Sequence, residues 1–153
     1  MRPIYETIAD RKREAAVAET LAASWDCEMV KLPRQYPVDY MAIRNGKPTA
    51  FVEIKCKTYP KEVIDRNGGF MMSLAKWANA RALCESSGLK FCIAVQYPES
   101  MWYCRVNAWE DFSHDGIQFF GRTDRNDPQD MEPCILLKPD RWTQIPNTPA
   151  DMI

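Results

Sequence analysis

The dipeptide Asn45-Gly46 constrains this chain more than any other pair of residues. Both residue types accept the positive φ angles of a tight two-residue hairpin. The arms on either side, Val38–Ile43 and Thr49–Lys57, are rich in strand formers. The centre of the chain is therefore an antiparallel hairpin, and its register places every polar residue on the arms. Residues two apart in a strand share a face. Glu53 and Lys55 project together, while Val52, Ile54 and Cys56 project from the other side. Asp39 opens the first arm, with thirteen residues between it and Glu53.

That spacing contains a conflict. For Asp39 and Glu53 to face each other, paired positions must sum to 92. A two-residue Asn45-Gly46 turn pairs Arg44 with Lys47, a sum of 91. A one-residue slip sends a side chain to the wrong face. Convergence of the two acids thus requires a three-residue loop over 45–47 or a bulge nearby. Pro48 has no N–H for the ladder, which favours an irregular hairpin.

The remaining elements follow from periodicity and breakers. Residues 5–25 read as a helix with an apolar stripe of Ile4, Ile8, Ala15, Ala18, Leu21, Ala22 and Trp25. Arg11-Lys12-Arg13 is a solvated basic run on that helix. Glu28–Leu32 forms a short strand, ended by Pro33 and Pro37. Residues 59–69, with Pro60 and Gly68-Gly69, read as a mobile polar loop. Ser73–Ser86 forms a helix that Ser73 caps and Gly88 ends. Phe91–Tyr97 is an almost unbroken apolar run, a strand covered on both faces. Met101–Val106 is the next strand, and Cys134–Leu137 a last short one. Between them lie the core candidates Trp109, Phe112, Phe119 and Phe120, then a polar loop over 122–133. Helix, strands, helix, strand make an α/β sandwich around a small mixed sheet.

At 153 residues the chain suits one domain, 1–153, with a C-terminal extension from about 107. The net charge of −1 announces no overall basic field, so a nucleic-acid surface must be local. Six cysteines without a CxxC pair, and His114 as the one histidine, argue against structural zinc. With no signal peptide, the cysteines read as reduced thiols of a cytoplasmic protein. No run of eighteen apolar residues exists to span a membrane.

Two carboxylates and an ammonium converging on one spot suit a divalent metal that attacks a phosphodiester. Asp39, followed by Glu53-Ile54-Lys55 on the next strand, resembles the PD-(D/E)XK nuclease superfamily. Its restriction-endonuclease-like αβββαβ core would cover roughly residues 5–97, a central mixed sheet flanked by helices. The resemblance implies magnesium, replaceable by manganese, held by Asp39, Glu53 and the Ile54 carbonyl. Magnesium prefers a few carboxylates and retains waters. Lys55 would orient the attacking water and offset developing charge.

Family members often add a glutamate from the first helix, here Glu14 or Glu19. Ala18, Leu21 and Trp25 lie within roughly 40° of Glu14, whereas Glu19 is about 140° from it. Glu14 therefore points inward and is the candidate. Lys57, on the Glu53–Lys55 face, and Lys76, on the second helix, are candidate nucleic-acid contacts. Gln96 most simply satisfies a local hydrogen bond.

LPRQYPVDY, EIKCK, SLAKW and GRTDRNDPQDMEP resemble small phage- or prophage-encoded members. DNA is the expected substrate, although nothing in the sequence separates it from RNA, and no aromatic-rich single-strand platform is evident. Similarity to Holliday-junction resolvases implies a homodimer or a phage or host partner. Arg122, Asp124, Arg125, Asp127 and Asp130 stand in a loop outside the superfamily core, a candidate partner contact or a solvated loop. The rival expectation is a catalytically inactive binding or assembly module on the same fold.

Overall fold

The computed structural model describes residues 6–106, 117–121, 124, 126–128 and 131–146. Helix α1 spans Ile8–Trp25. Thr7 caps it reciprocally: its side chain accepts from the Asp10 N–H, and Asp10 accepts from the Thr7 N–H. Val17, Ala18 and Leu21 form its buried stripe. Ile8, expected on that stripe, is 67% exposed because it stands in the first turn, well before the packed stretch. Ile4 lies outside the described residues. Arg11, Lys12 and Arg13 are exposed, and Arg13 pairs with Asp10 one turn back.

Strands β1 (Glu28–Lys31), β2 (Tyr40–Arg44) and β3 (Lys47–Cys56) make an antiparallel meander. The β2–β3 hairpin resolves the register conflict. Arg44 pairs with Lys47 across a two-residue turn in which Asn45 and Gly46 take φ of 52° and 75°. Ile43 pairs with Pro48, then Thr49 is passed over and Ala42 pairs with Ala50. From there the sums are 92, with Met41 opposite Phe51 and Tyr40 opposite Val52. The irregularity is thus a bulge rather than a longer loop. Thr49 anchors it by donating its hydroxyl to the Ala42 carbonyl over 3.2 Å.

Then follow α2 (Lys61–Arg66), β4 (Phe70–Ser73), α3 (Leu74–Ser87), β5 (Lys90–Gln96) and β6 (Met101–Arg105). Strands β7 (Gln118–Phe120), β8 (Glu132–Leu137) and β9 (Thr143–Ile145) complete the described elements. The main sheet has the order β1-β2-β3-β5-β6-β9 and is mixed, because β3 and β5 run parallel. The second sheet is β4-β8-β7. The expected α/β class and αβββαβ core are present as α1-β1-β2-β3-α3-β5. β5 is covered on both faces as its apolar run required.

The main sheet separates two cores. On one face α1 packs Val17, Ala18 and Leu21 against Ala50, Val52, Ile54 and Ala94. On the other, Trp77 and Ala80 of α3 and residues of the small sheet cover Phe51, Ile93 and Val95. Each face supports a run of buried alternate side chains, worth about 1.5–3 kcal/mol apiece on burial.

Two further expectations fail. The segment 59–69, expected as a loop, contains α2, which starts after Pro60 and ends before Gly68. Gly69 has φ 137°, and a Cβ there would meet the Leu137 carbonyl oxygen at 2.3 Å. The glycine therefore permits β4 to start against β8. Phe119 and Phe120 are 72% and 54% exposed, since β7 lies at the edge of the small sheet and is not in the core. Trp109, Phe112, His114, Arg122, Arg125 and Asp130 lie outside the described residues.

Candidate active site

Strand β3 outruns β2. The ladder between them ends at Tyr40 and Val52, while β3 continues to Cys56. Asp39 fills the gap with its side chain: Oδ2 accepts from the Ile54 N–H over 2.9 Å. A strand residue's N–H and C=O point to the same edge. The Ile54 carbonyl therefore opens into the gap that Asp39 borders.

Glu53 sits beside it, 3% exposed, on the face that carries Phe51. Its Oε1 receives two ammonium groups, Lys76 at 3.1 Å and Lys55 at 3.4 Å. Its Oε2 is buried and has no hydrogen-bond partner among the described residues. Burial pushes the Glu53 carboxyl above its ordinary range; Lys55 pulls it back, Asp39 raises it further, and Lys76 opposes the rise. A buried carboxylate with one orphaned oxygen beside a second acid is costly unless a cation joins it. Glu53, Asp39 and the Ile54 carbonyl are oxygen donors of the kind magnesium takes. The donor set and the orphaned oxygen therefore fit that ion.

The lysines differ in duty. Lys55 is half exposed where it meets Glu53. Lys76 stands in the first turn of α3, where the Ser73 hydroxyl accepts from its backbone N–H. Its ammonium donates to the Pro37 carbonyl over 2.5 Å as well as meeting Glu53. It thus ties the approach to β2 onto β3. Lys57 does not share this cluster. Its ammonium lies over the rings of Phe70 and Tyr59, and burial pulls its pKa down, with Lys55 adding to the shift. Gln96 donates to the carbonyls of Tyr97 and Ser100, a local role.

Glu14 is turned inward, as helical phase indicated, and Glu19 is exposed. Yet α1 covers the opposite face of β3 from Glu53. Among the described residues Glu14 is linked to the site through Lys31, whose ammonium is 2.6 Å from Glu14 Oε1 and 3.9 Å from Asp39 Oδ1. Burial raises the Glu14 pKa, the Lys31 bond lowers it, and Asp39 raises it again. Among the described residues, no three Asp, Glu, His or Cys side chains form a metal-binding group.

Sequence reasoning missed Lys31. The available signal was strand pairing: an antiparallel β1 places Lys31 beside Tyr40, next to Asp39. Its ammonium also lies 5.1 Å from the centre of the Tyr40 ring.

The αβββαβ core, with an acid entering β2 and Glu-x-Lys on β3, is the restriction-endonuclease-like arrangement of PD-(D/E)XK proteins. The chain belongs to the family described as "Phage putative PDDEXK endonuclease", which it matches over residues 1–145. Among solved structures it is similar to Hjc, a Holliday junction resolvase from the archaeal hyperthermophile Archaeoglobus fulgidus. The two share 10% identity with a TM-score of 0.51, over 84% of this chain and 88% of that one. At that identity the likeness is one of fold. No curated protein matches the chain. Among the described residues, no helix is long and apolar enough to cross a membrane.

Proposed function

We propose that the chain is a magnesium-dependent nuclease that hydrolyses DNA phosphodiester bonds in phage DNA processing or recombination. Manganese substitutes for magnesium in this reading, and the chain acts as one nuclease-like unit in the host cytoplasm. The observation that carries the reading is Glu53: buried, with two lysines on one oxygen and the other oxygen unpartnered beside Asp39.

Asp39, Glu53 and the Ile54 carbonyl would hold the metal. When bound, magnesium supplies Lewis-acid stabilisation of the phosphoryl oxygens and lowers the pKa of a coordinated water. The Ile54 N–H holds one oxygen of the Asp39 carboxylate, and the other lies 3.9 Å from the Lys31 ammonium. Lys76, 3.1 Å from Glu53 Oε1, would restrain that side chain. Lys55 reaches outward to orient water and offset charge on the phosphate. Glu14 acts at one remove, positioning Lys31 beside Asp39.

The test is cleavage of a panel of linear, branched and single-stranded DNA and of RNA, with manganese and with magnesium. Glu53→Ala and Lys55→Ala each lower the rate by at least about 100-fold. Equal activity in both variants and the unaltered chain would overturn the reading and leave an inactive binding or assembly module.

A further inference from the structure

Beyond the acidic cluster, the same face of β3 leads into a cavity. Its wall is built from three distant segments: Tyr59 before α2, Phe70 at the start of β4, and Phe120 at the end of β7. Ile64 of α2 and Lys57, two residues beyond Lys55, also line it. The volume is about 120 Å³. That is well below the roughly 300–1,000 Å³ of a pocket that encloses a small-molecule ligand. It suits a single planar ring whose remaining atoms stay outside.

Lys57 points to what that ring belongs to. Lys31, Lys55, Lys61 and Lys76 each have a carboxylate within 4 Å. Among the described residues Lys57 has none, and its ammonium lies 5.4 Å from the Phe70 ring centre and 5.9 Å from that of Tyr59. A partly buried cation with only π-faces around it is open to an anionic or carbonyl oxygen. The backbone there is still extended, because the Lys57 N–H donates to the Gln96 carbonyl over 2.8 Å. Lys57 therefore follows Lys55 by one strand repeat, about 7 Å, the reach of one nucleotide to the next. Tyr59 and Phe120, which line the cavity, are 38% and 54% exposed.

We propose that this cavity receives one unpaired nucleobase of a DNA strand, stacked on Tyr59 and Phe120, with Lys57 on the adjoining phosphate or base oxygen. The placement of the strand rests on the nuclease reading above, with its scissile phosphate at Glu53 and Lys55. A base inside a duplex cannot enter without leaving its stack. The cavity therefore selects strands that are single, frayed or branched at that nucleotide. Aromatic stacking accepts every base, so the selection is for structure and not sequence.

The test is equilibrium binding of the full chain to labelled DNA in EDTA, where no cleavage occurs. Tyr59→Ala and Phe120→Ala, both at exposed rings, weaken single-strand binding by roughly 5- to 100-fold. They leave affinity for a fully paired duplex unchanged. In the unaltered chain, an abasic site at one position of the strand reproduces the loss; in the variants it adds little. Three results would overturn the proposal: no single-strand binding, no position sensitive to an abasic site, or equal weakening of duplex and single strand. Binding in EDTA is read without cleavage, so a failed pocket and a failed nuclease reading give different results.

Discussion

Lys31 donates to Glu14 across 2.6 Å, and the same ammonium stands 3.9 Å from Asp39. The acid of the first helix is thus joined to the site by a cation and not by a shared ligand. Groups that act through a ligand's neighbour typically cost about 10- to 100-fold when removed. Glu14→Gln and Lys31→Met should each lower single-turnover cleavage by about that factor. The double variant should lose little more than either single one, since both break the same link. Glu53→Gln should lose far more. A Glu14→Gln loss as deep as that of Glu53→Gln would mean that Glu14 touches the metal directly.

Burial holds the Glu53 pKa above its ordinary value, the charge on Asp39 contributing and the two lysines opposing. The folded chain therefore binds that proton more tightly than the unfolded chain. Stability from this group is present below the ordinary glutamate pKa and is lost as pH rises through the folded value. Without metal, Glu53→Gln should raise the midpoint of urea unfolding near neutral pH. The gain should vanish at about pH 4, where both side chains are neutral. Lys76→Met removes a cation that favours the carboxylate, and should move the acid limb of cleavage to higher pH. An unchanged midpoint in Glu53→Gln at neutral pH would contradict the buried charge.

Thr49 holds the bulge by a half-buried hydrogen bond to the Ala42 carbonyl. Thr49→Val keeps the branched shape and deletes the donor. The loss should be about 1 kcal/mol in chemical denaturation. Because the bulge sets the facing of Asp39 and Glu53, cleavage should fall by more than the stability change explains.

Gly69 combines positive φ with a backbone neighbour where a Cβ would go. Gly69→Ala should destabilise the fold by more than about 1 kcal/mol, read as a lower melting temperature. The displaced Phe70 should carry single-strand binding down with it. Gly46 has open space around it, so Gly46→Ala should show only the cost of its backbone angle.

The parts of this fold that the sequence announces are those fixed locally. Ser73 and Gly88 bound α3, Asn45-Gly46 turns the hairpin, and the Phe91–Tyr97 run fills a two-faced strand. Register arithmetic also anticipated an irregularity, and the chain supplies it at Thr49. What stayed hidden depends on pairing between distant segments. β4, β7 and β9 are three or four residues long and have no period of their own. Lys31 gains its place from two neighbours, Glu14 and Asp39, that no local pattern links to it. Phe120 reads as a core candidate, whereas it lines one cavity with Tyr59 and Phe70, residues far from it in the chain.

The bulge also bears on how such a site endures sequence drift. The two acids are bound to share a face, whereas the number of residues between them is not fixed. An inserted residue in either arm of the hairpin can be taken up as one more unpaired position, at the tip or along the ladder, and the facing is kept. Thirteen intervening residues are one solution among several lengths. A search keyed to a fixed interval between Asp39 and Glu-x-Lys would overlook chains with the same chemistry, whereas one keyed to an acid entering one hairpin arm and Glu-x-Lys on the other, at any interval, would find them.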